Sequence, residues 1–112
     1  MTIVFDTFLV LLLAHLLLDY PLQGRFLSRA KNRFDPVQHV PWYQAMFAHT
    51  AMHGIAVGLI TGIWLFALLE MAIHWWTDDK MCGGEHTFNQ NQAINIFTKF
   101  VWAVGSYWII FL

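Results

Sequence analysis

The sequence predicts an all-α polytopic membrane protein, a four-helix transmembrane bundle with one short interfacial helix. Three observations predict it. Of 112 residues, 58% are hydrophobic, 17% aromatic and only 12% charged, whereas soluble domains carry about 25% charged residues. The apolar residues form runs long enough to match a bilayer. Finally, the few ionisable residues inside those runs recur at a spacing of four, which places them on one helix face. A soluble oligomer with a very apolar interface is the alternative, but a chain this small has little interior in which to hide such a surface.

The first run, residues 3–20, is broken only by Asp6, His15 and Asp19. At about 1.5 Å per residue it reaches roughly 27 Å, enough for a thin hydrocarbon layer. It lacks the basic leader and small-residue cleavage pattern of a signal peptide, so it reads as a retained span. Pro21 disfavours helix at Tyr20. Residues 22–34 then hold four of the six basic residues, Arg25, Arg29, Lys31 and Arg33, with Phe26, Leu27 and Ala30 between them. That pattern predicts an interfacial helix, apolar on one side and cationic on the other. Asp35-Pro36 and Val40-Pro41 end it, and Trp42-Tyr43 supply an aromatic belt.

The stretch from Ala45 to Asp79 is apolar almost throughout, yet carries His49, His53, Glu70, His74 and Asp78. One continuous helix here would run to roughly 50 Å and overshoot a bilayer of about 30 Å. Two spans, 45–60 and 63–78, turning at Thr61-Gly62, are the preferred reading. Gly54 and Gly58 form a small-xxx-small pair that lets another helix approach closely. A polar connection follows from Asp78 to Gln90, and a last span covers 91–111. Four spans put both termini on one side. The basic cluster makes the other side cytoplasmic, so the expected location is the bacterial inner membrane, multi-pass, with periplasmic termini.

This topology brings polar residues of four helices to one depth. His15, Asp19 and Gln23 lie at the end of the first span, and His49 and His53 open the second. His74 and Asp78 close the third, and Asn91 and Asn95 open the fourth. Neutral imidazole and carboxylate suit zinc, and also iron or manganese. The candidate ligands are His15, Asp19, His49, His53, His74 and Asp78. Glu70, two turns from Asp78, is placed to orient His74. Gln23, Lys31, Asn91 and Asn95 complete the polar core. Each of these residues, taken singly, is also what ordinary interhelical hydrogen bonding would use.

Several classes are disfavoured. A net charge of −1 with no broad basic face argues against a nucleic-acid partner. Cys82 stands alone, which excludes an internal disulfide and a thiolate metal site. Expected partners are the lipid bilayer, further copies of the chain and a membrane protein.

The sequence also resembles a small bacterial and phage membrane family known as domain of unknown function 3307. The resemblance rests on Ala14 to Gln23 with Lys31 eight residues on, His49 to His53, Leu68 to Asp78, and Phe88 to Trp102. It implies that His15, Asp19, Gln23, Lys31, His49, His53, Glu70, His74 and Asp78 form a polar core. Where that family has an Asp-Gln pair followed by His on the last helix, this chain has Asn91, Gln92 and Asn95, and amides are poor zinc ligands. Three functions stay open at this point. They are metal-dependent hydrolysis of a phosphorylated or lipid-linked substrate, an ion or proton site between helices, and a non-enzymatic membrane effector.

Overall fold

A computed structural model describes residues 2–111. It is all-α, with five helices: α1 (Thr2–Asp19), α2 (Gly24–Ala30), α3 (Trp42–Thr61), α4 (Trp64–Cys82) and α5 (Phe88–Phe111). α1 packs on α3 and α5, α4 packs on α3 and α5, and the short α2 rests on α3.

Local chemistry sets the helix ends. α3 begins after Pro41, whose extended backbone starts a helix without needing an N–H. The chain reverses at Gly62, which holds a left-handed φ of 74° and closes α3 through its N–H to the Gly58 carbonyl. The Thr61 hydroxyl accepts the Ile63 N–H and so ties the turn. α5 opens with a reciprocal cap. Thr87 Oγ1 accepts the Gln90 N–H at 3.1 Å, and Gln90 Oε1 accepts the Thr87 N–H at 2.9 Å.

The sequence pattern extends the basic helix to residue 34, but α2 ends at Ala30. Lys31 turns inward there, and the Asn32 side chain accepts the Phe34 N–H to form a turn instead. α4 runs on to Cys82, four residues past the expected end of its span.

The four-span transmembrane bundle is not what the structure supports. Among the described residues one helix, α5, is long and apolar enough to cross a membrane. A second qualifies only if α1 and α2, bent by 84° at their junction, count as one broken span. The polar seam is the reason. α4 carries Glu70, Asp78, Asp79 and Lys80, while α3 carries Gln44, His49, Thr50, His53 and two helical glycines, and these lower the hydropathy of both below that of a span. The multi-pass location falls with it. One such helix is compatible with membrane association and goes no further.

Burial runs against the usual pattern of water-soluble domains. The apolar core is small, formed by Leu11, Val57, Trp102 and Ala103 with Phe8, Ile60 and Phe66 packed against it. Leu13, Leu59, Leu65, Leu68, Trp108 and Ile110 point outward. The buried positions instead hold four histidines, two lysines and the Glu70 and Asp78 carboxylates. The interior therefore has an apolar end and a polar end.

Gly54 faces α4 of the same chain. A Cβ there would lie 2.4 Å from Met71 Cγ and 2.8 Å from the backbone oxygen of Ala67. The methionine can move but the carbonyl cannot. Gly54→Ala is therefore expected to destabilise the fold by about 1–3 kcal/mol, measured by denaturant unfolding in detergent. An unchanged midpoint would show that α3 and α4 stand further apart than this.

Candidate metal centre

Four side chains from three helices converge on one point. α1 supplies Asp19 from its last turn, α3 supplies His49 and His53 one turn apart, and α4 supplies His74. Their ligand atoms all lie within 4.8 Å of one another. Asp19 Oδ1 is 2.9 Å from His53 Nε2, 3.2 Å from His49 Nε2 and 3.6 Å from His74 Nε2. His49 Nε2 and His74 Nε2 are 3.2 Å apart. A tetrahedral zinc with bonds of about 2.0–2.1 Å has ligand atoms about 3.3 Å apart. Four of the six separations in the set, 2.9, 3.2, 3.2 and 3.6 Å, lie near that edge length.

The surrounding groups orient these ligands. Glu70 Oε2 accepts the proton of His74 Nδ1 at 3.0 Å, which fixes the tautomer and turns the Nε2 lone pair towards the centre. Glu70 is in turn held through both oxygens by Lys99, each at 3.0 Å, and by the Trp102 indole N–H at 2.8 Å. On the other flank, Gln92 Nε2 donates to Asp19 Oδ2 at 2.9 Å, so Asp19 presents a single oxygen to the histidines. His15 Nε2 donates to Gln92 Oε1 at 2.9 Å.

The six expected ligands are therefore divided. Asp19, His49, His53 and His74 come together. His15 lies behind Asp19 with its Nε2 committed to Gln92, 3.5 Å from Asp19 Oδ2. Asp78 sits beside the centre, its Oδ2 3.1 Å from His49 Nε2 and 3.5 Å from His74 Nε2. That same oxygen accepts from Lys31 Nζ at 2.7 Å, and Asn91 donates to Asp78 Oδ1 at 2.8 Å. Gln23 accepts from Lys31, and Asn95 donates to Asn91 Oδ1 at 3.0 Å. Sequence reasoning missed Gln92, Lys99 and Trp102. The signal was a stripe on α5, because Asn91, Asn95, Lys99, Trp102 and Ser106 recur every three or four residues and are all buried.

No family model, curated protein or solved structure matches this chain. Its role is indicated by the chemistry of the centre itself.

Electrostatics set the character of that centre. Three carboxylates, Asp19, Glu70 and Asp78, are sunk beside two lysines, each lysine held by one carboxylate: Lys99 by Glu70 and Lys31 by Asp78. Asp19 has no lysine and meets only imidazoles and the Gln92 amide. Burial pushes the His53 imidazole down to about 3, helped by the neighbouring His74. Burial also works against charge on His74, but the carboxylates of Asp78, Asp19 and Glu70 outweigh it and raise His74 to about 9. Glu70 is driven down to about 2, because His74 and Lys99 overcome its burial. His74, His49 and Lys31 likewise hold Asp78 well below the usual carboxylate range against its burial. One proton on His74 thus balances Asp19, and a cation at the centre would take that proton's place.

The Glu70–Lys99 pair can be tested alone. Lys99→Met leaves Glu70 buried with one cation fewer and is expected to cost about 3–5 kcal/mol of stability. The double variant Glu70→Gln/Lys99→Met should cost clearly less than the sum of the two singles in an unfolding cycle. Additive losses would show that the two groups do not depend on each other.

Proposed function

We propose that this protein is a membrane-associated metal-binding protein. Its Asp19–His49–His53–His74 centre holds a divalent ion, zinc before iron or manganese. The carrying observation is the convergence of three imidazole nitrogens and one carboxylate oxygen within 4.8 Å of one another, four of the six separations lying near a tetrahedral edge, around a carboxylate that no lysine neutralises. Three nitrogens and one oxygen form a closed four-ligand set, the pattern of sites that hold a metal for stability. The ligands come from α1, α3 and α4, so a bound ion would clasp three helices. The resemblance to domain of unknown function 3307, a family of small bacterial and phage membrane proteins, supports the same polar core and the membrane association. The outward-facing leucines and the apolar α5 support the membrane association.

A second reading, metal-supported hydrolysis, draws on Asp78. Its carboxylate stands within 3.5 Å of two ligand nitrogens, close enough to accept a proton from water at the metal. That reading requires a position left open for water. Cobalt substitution would separate the two, because a closed four-ligand site gives a tetrahedral spectrum and an added water gives a five-coordinate one.

Elemental analysis of protein purified without chelator or polyhistidine tag should find about one divalent ion per chain. His49→Ala, His53→Ala, His74→Ala and Asp19→Asn should each remove most of it, and pairs of these should cost little more than singles. His15→Ala and Glu70→Gln should retain the ion with affinity lowered about 10–100-fold, as residues behind the ligands do. A parent protein that carries no metal, and takes up neither zinc, iron nor manganese, would overturn the metal reading.

A further inference from the structure

Helix α2 presents a surface that the metal centre does not explain. It lies across the end of α1 at 84°. Its inner side, Leu27, Ala30 and Lys31, is buried or half-buried. On its outer side Arg25 and Arg29 stand one turn apart, both exposed. Among the described residues neither has an ion-pair partner, whereas Arg33 is held by Asp79 at 2.8 and 3.2 Å. Phe26 on α2 and Leu22 in the turn that leads into it are each 63% exposed, with Tyr20 also outward. Two free guanidinium groups flanked by an aromatic and aliphatic strip are the two halves of an interfacial membrane contact.

We infer that the outer face of α2 docks on anionic phospholipid headgroups, with Arg25 and Arg29 taking the phosphates and Leu22 and Phe26 entering the acyl boundary. Guanidinium groups pair with phosphate oxygens through two hydrogen bonds, which suits them to this role. The surface carries no carboxylate opposing them on α2 itself. The inference rests on the membrane association proposed above and is independent of the metal.

The test uses the full chain reconstituted in vesicles of phosphatidylcholine alone, or of phosphatidylcholine mixed with phosphatidylglycerol. A fluorescent label is placed at Ser28→Cys in a Cys82→Ser background. Its access to an aqueous quencher is then measured. Each basic residue near an anionic surface is worth about a fivefold gain in occupancy. Quenching should therefore fall about fivefold or more in the phosphatidylglycerol vesicles relative to the neutral ones. High salt should abolish the difference, and Arg25→Gln/Arg29→Gln should remove it while the chain stays in the vesicle. Equal protection in both bilayers would reduce α2 to an apolar contact and overturn the proposal. So would release of the label by inorganic phosphate at constant ionic strength, which would mark a free-phosphate site. An acidic protein as the true occupant would leave the label open in both bilayers and would overturn the proposal equally. A chain that enters neither vesicle would overturn the membrane association itself, and this inference with it.

Discussion

The buried carboxylate of Asp19 is the constraint on which the rest of the structure depends. A charge taken out of water needs a partner close at hand, and an uncompensated one costs several kcal/mol. The chain has few cations to offer inside. Lys31 and Lys99 are each drawn to another carboxylate, Asp78 and Glu70. Asp19 is left with the imidazoles of His49, His53 and His74 and with the Gln92 amide. Satisfying it brings α1, α3, α4 and α5 to one place. The helix arrangement at the polar end is in that sense the solution to one electrostatic problem.

That solution is available because the helices approach closely where it is needed. Gly54 follows His53 directly and lets the backbone of α4 come closer than a Cβ at that position would allow. His53 and His74 then stack with ring centroids 3.8 Å apart. Larger side chains at 54 would separate the two imidazoles, and with them the two Nε2 atoms that approach Asp19 Oδ1. The apolar end, built on Leu11, Val57 and Trp102, fixes the same helices from below. Trp102 belongs to both ends, since its ring packs on Phe66 at 4.8 Å while its N–H reaches Glu70.

The helical nature of the chain was legible because spacing is local. Residues four apart share a face whatever the fold does later, so His49 with His53 and Glu70 with His74 could be grouped from their positions alone. What could not be read was which atom of each side chain would be engaged elsewhere. His15 has the same chemistry as His53, but a glutamine from α5, seventy-seven residues away, claims its Nε2. Asp78 has the same chemistry as Asp19, but Lys31 claims it. Those are long-range pairings that no periodicity encodes. The number of membrane spans was overstated for a related reason. A histidine or carboxylate inside an apolar run was counted as an exception to a span, whereas enough of them make the helix a wall of a polar interior instead.

The seat of α2 follows from the same electrostatics. A seven-residue helix has almost no stability of its own, and α2 buries only Ala30 and its C-cap residue Lys31. Lys31 reaches the centre's edge and closes on Asp78, with Gln23 taking another of its protons from the residue that precedes α2. Those contacts tie the two ends of the helix together and fix both its position and its rotation. Rotation is what decides which residues face outward. With Lys31 turned in, the positions nearly opposite it around the helix axis, Arg25, Phe26 and Arg29, must turn out. The charge that neutralises Asp78 inside the protein therefore also aims the two free arginines away from it, so the polar interior and the outer surface of α2 are set by a single buried lysine.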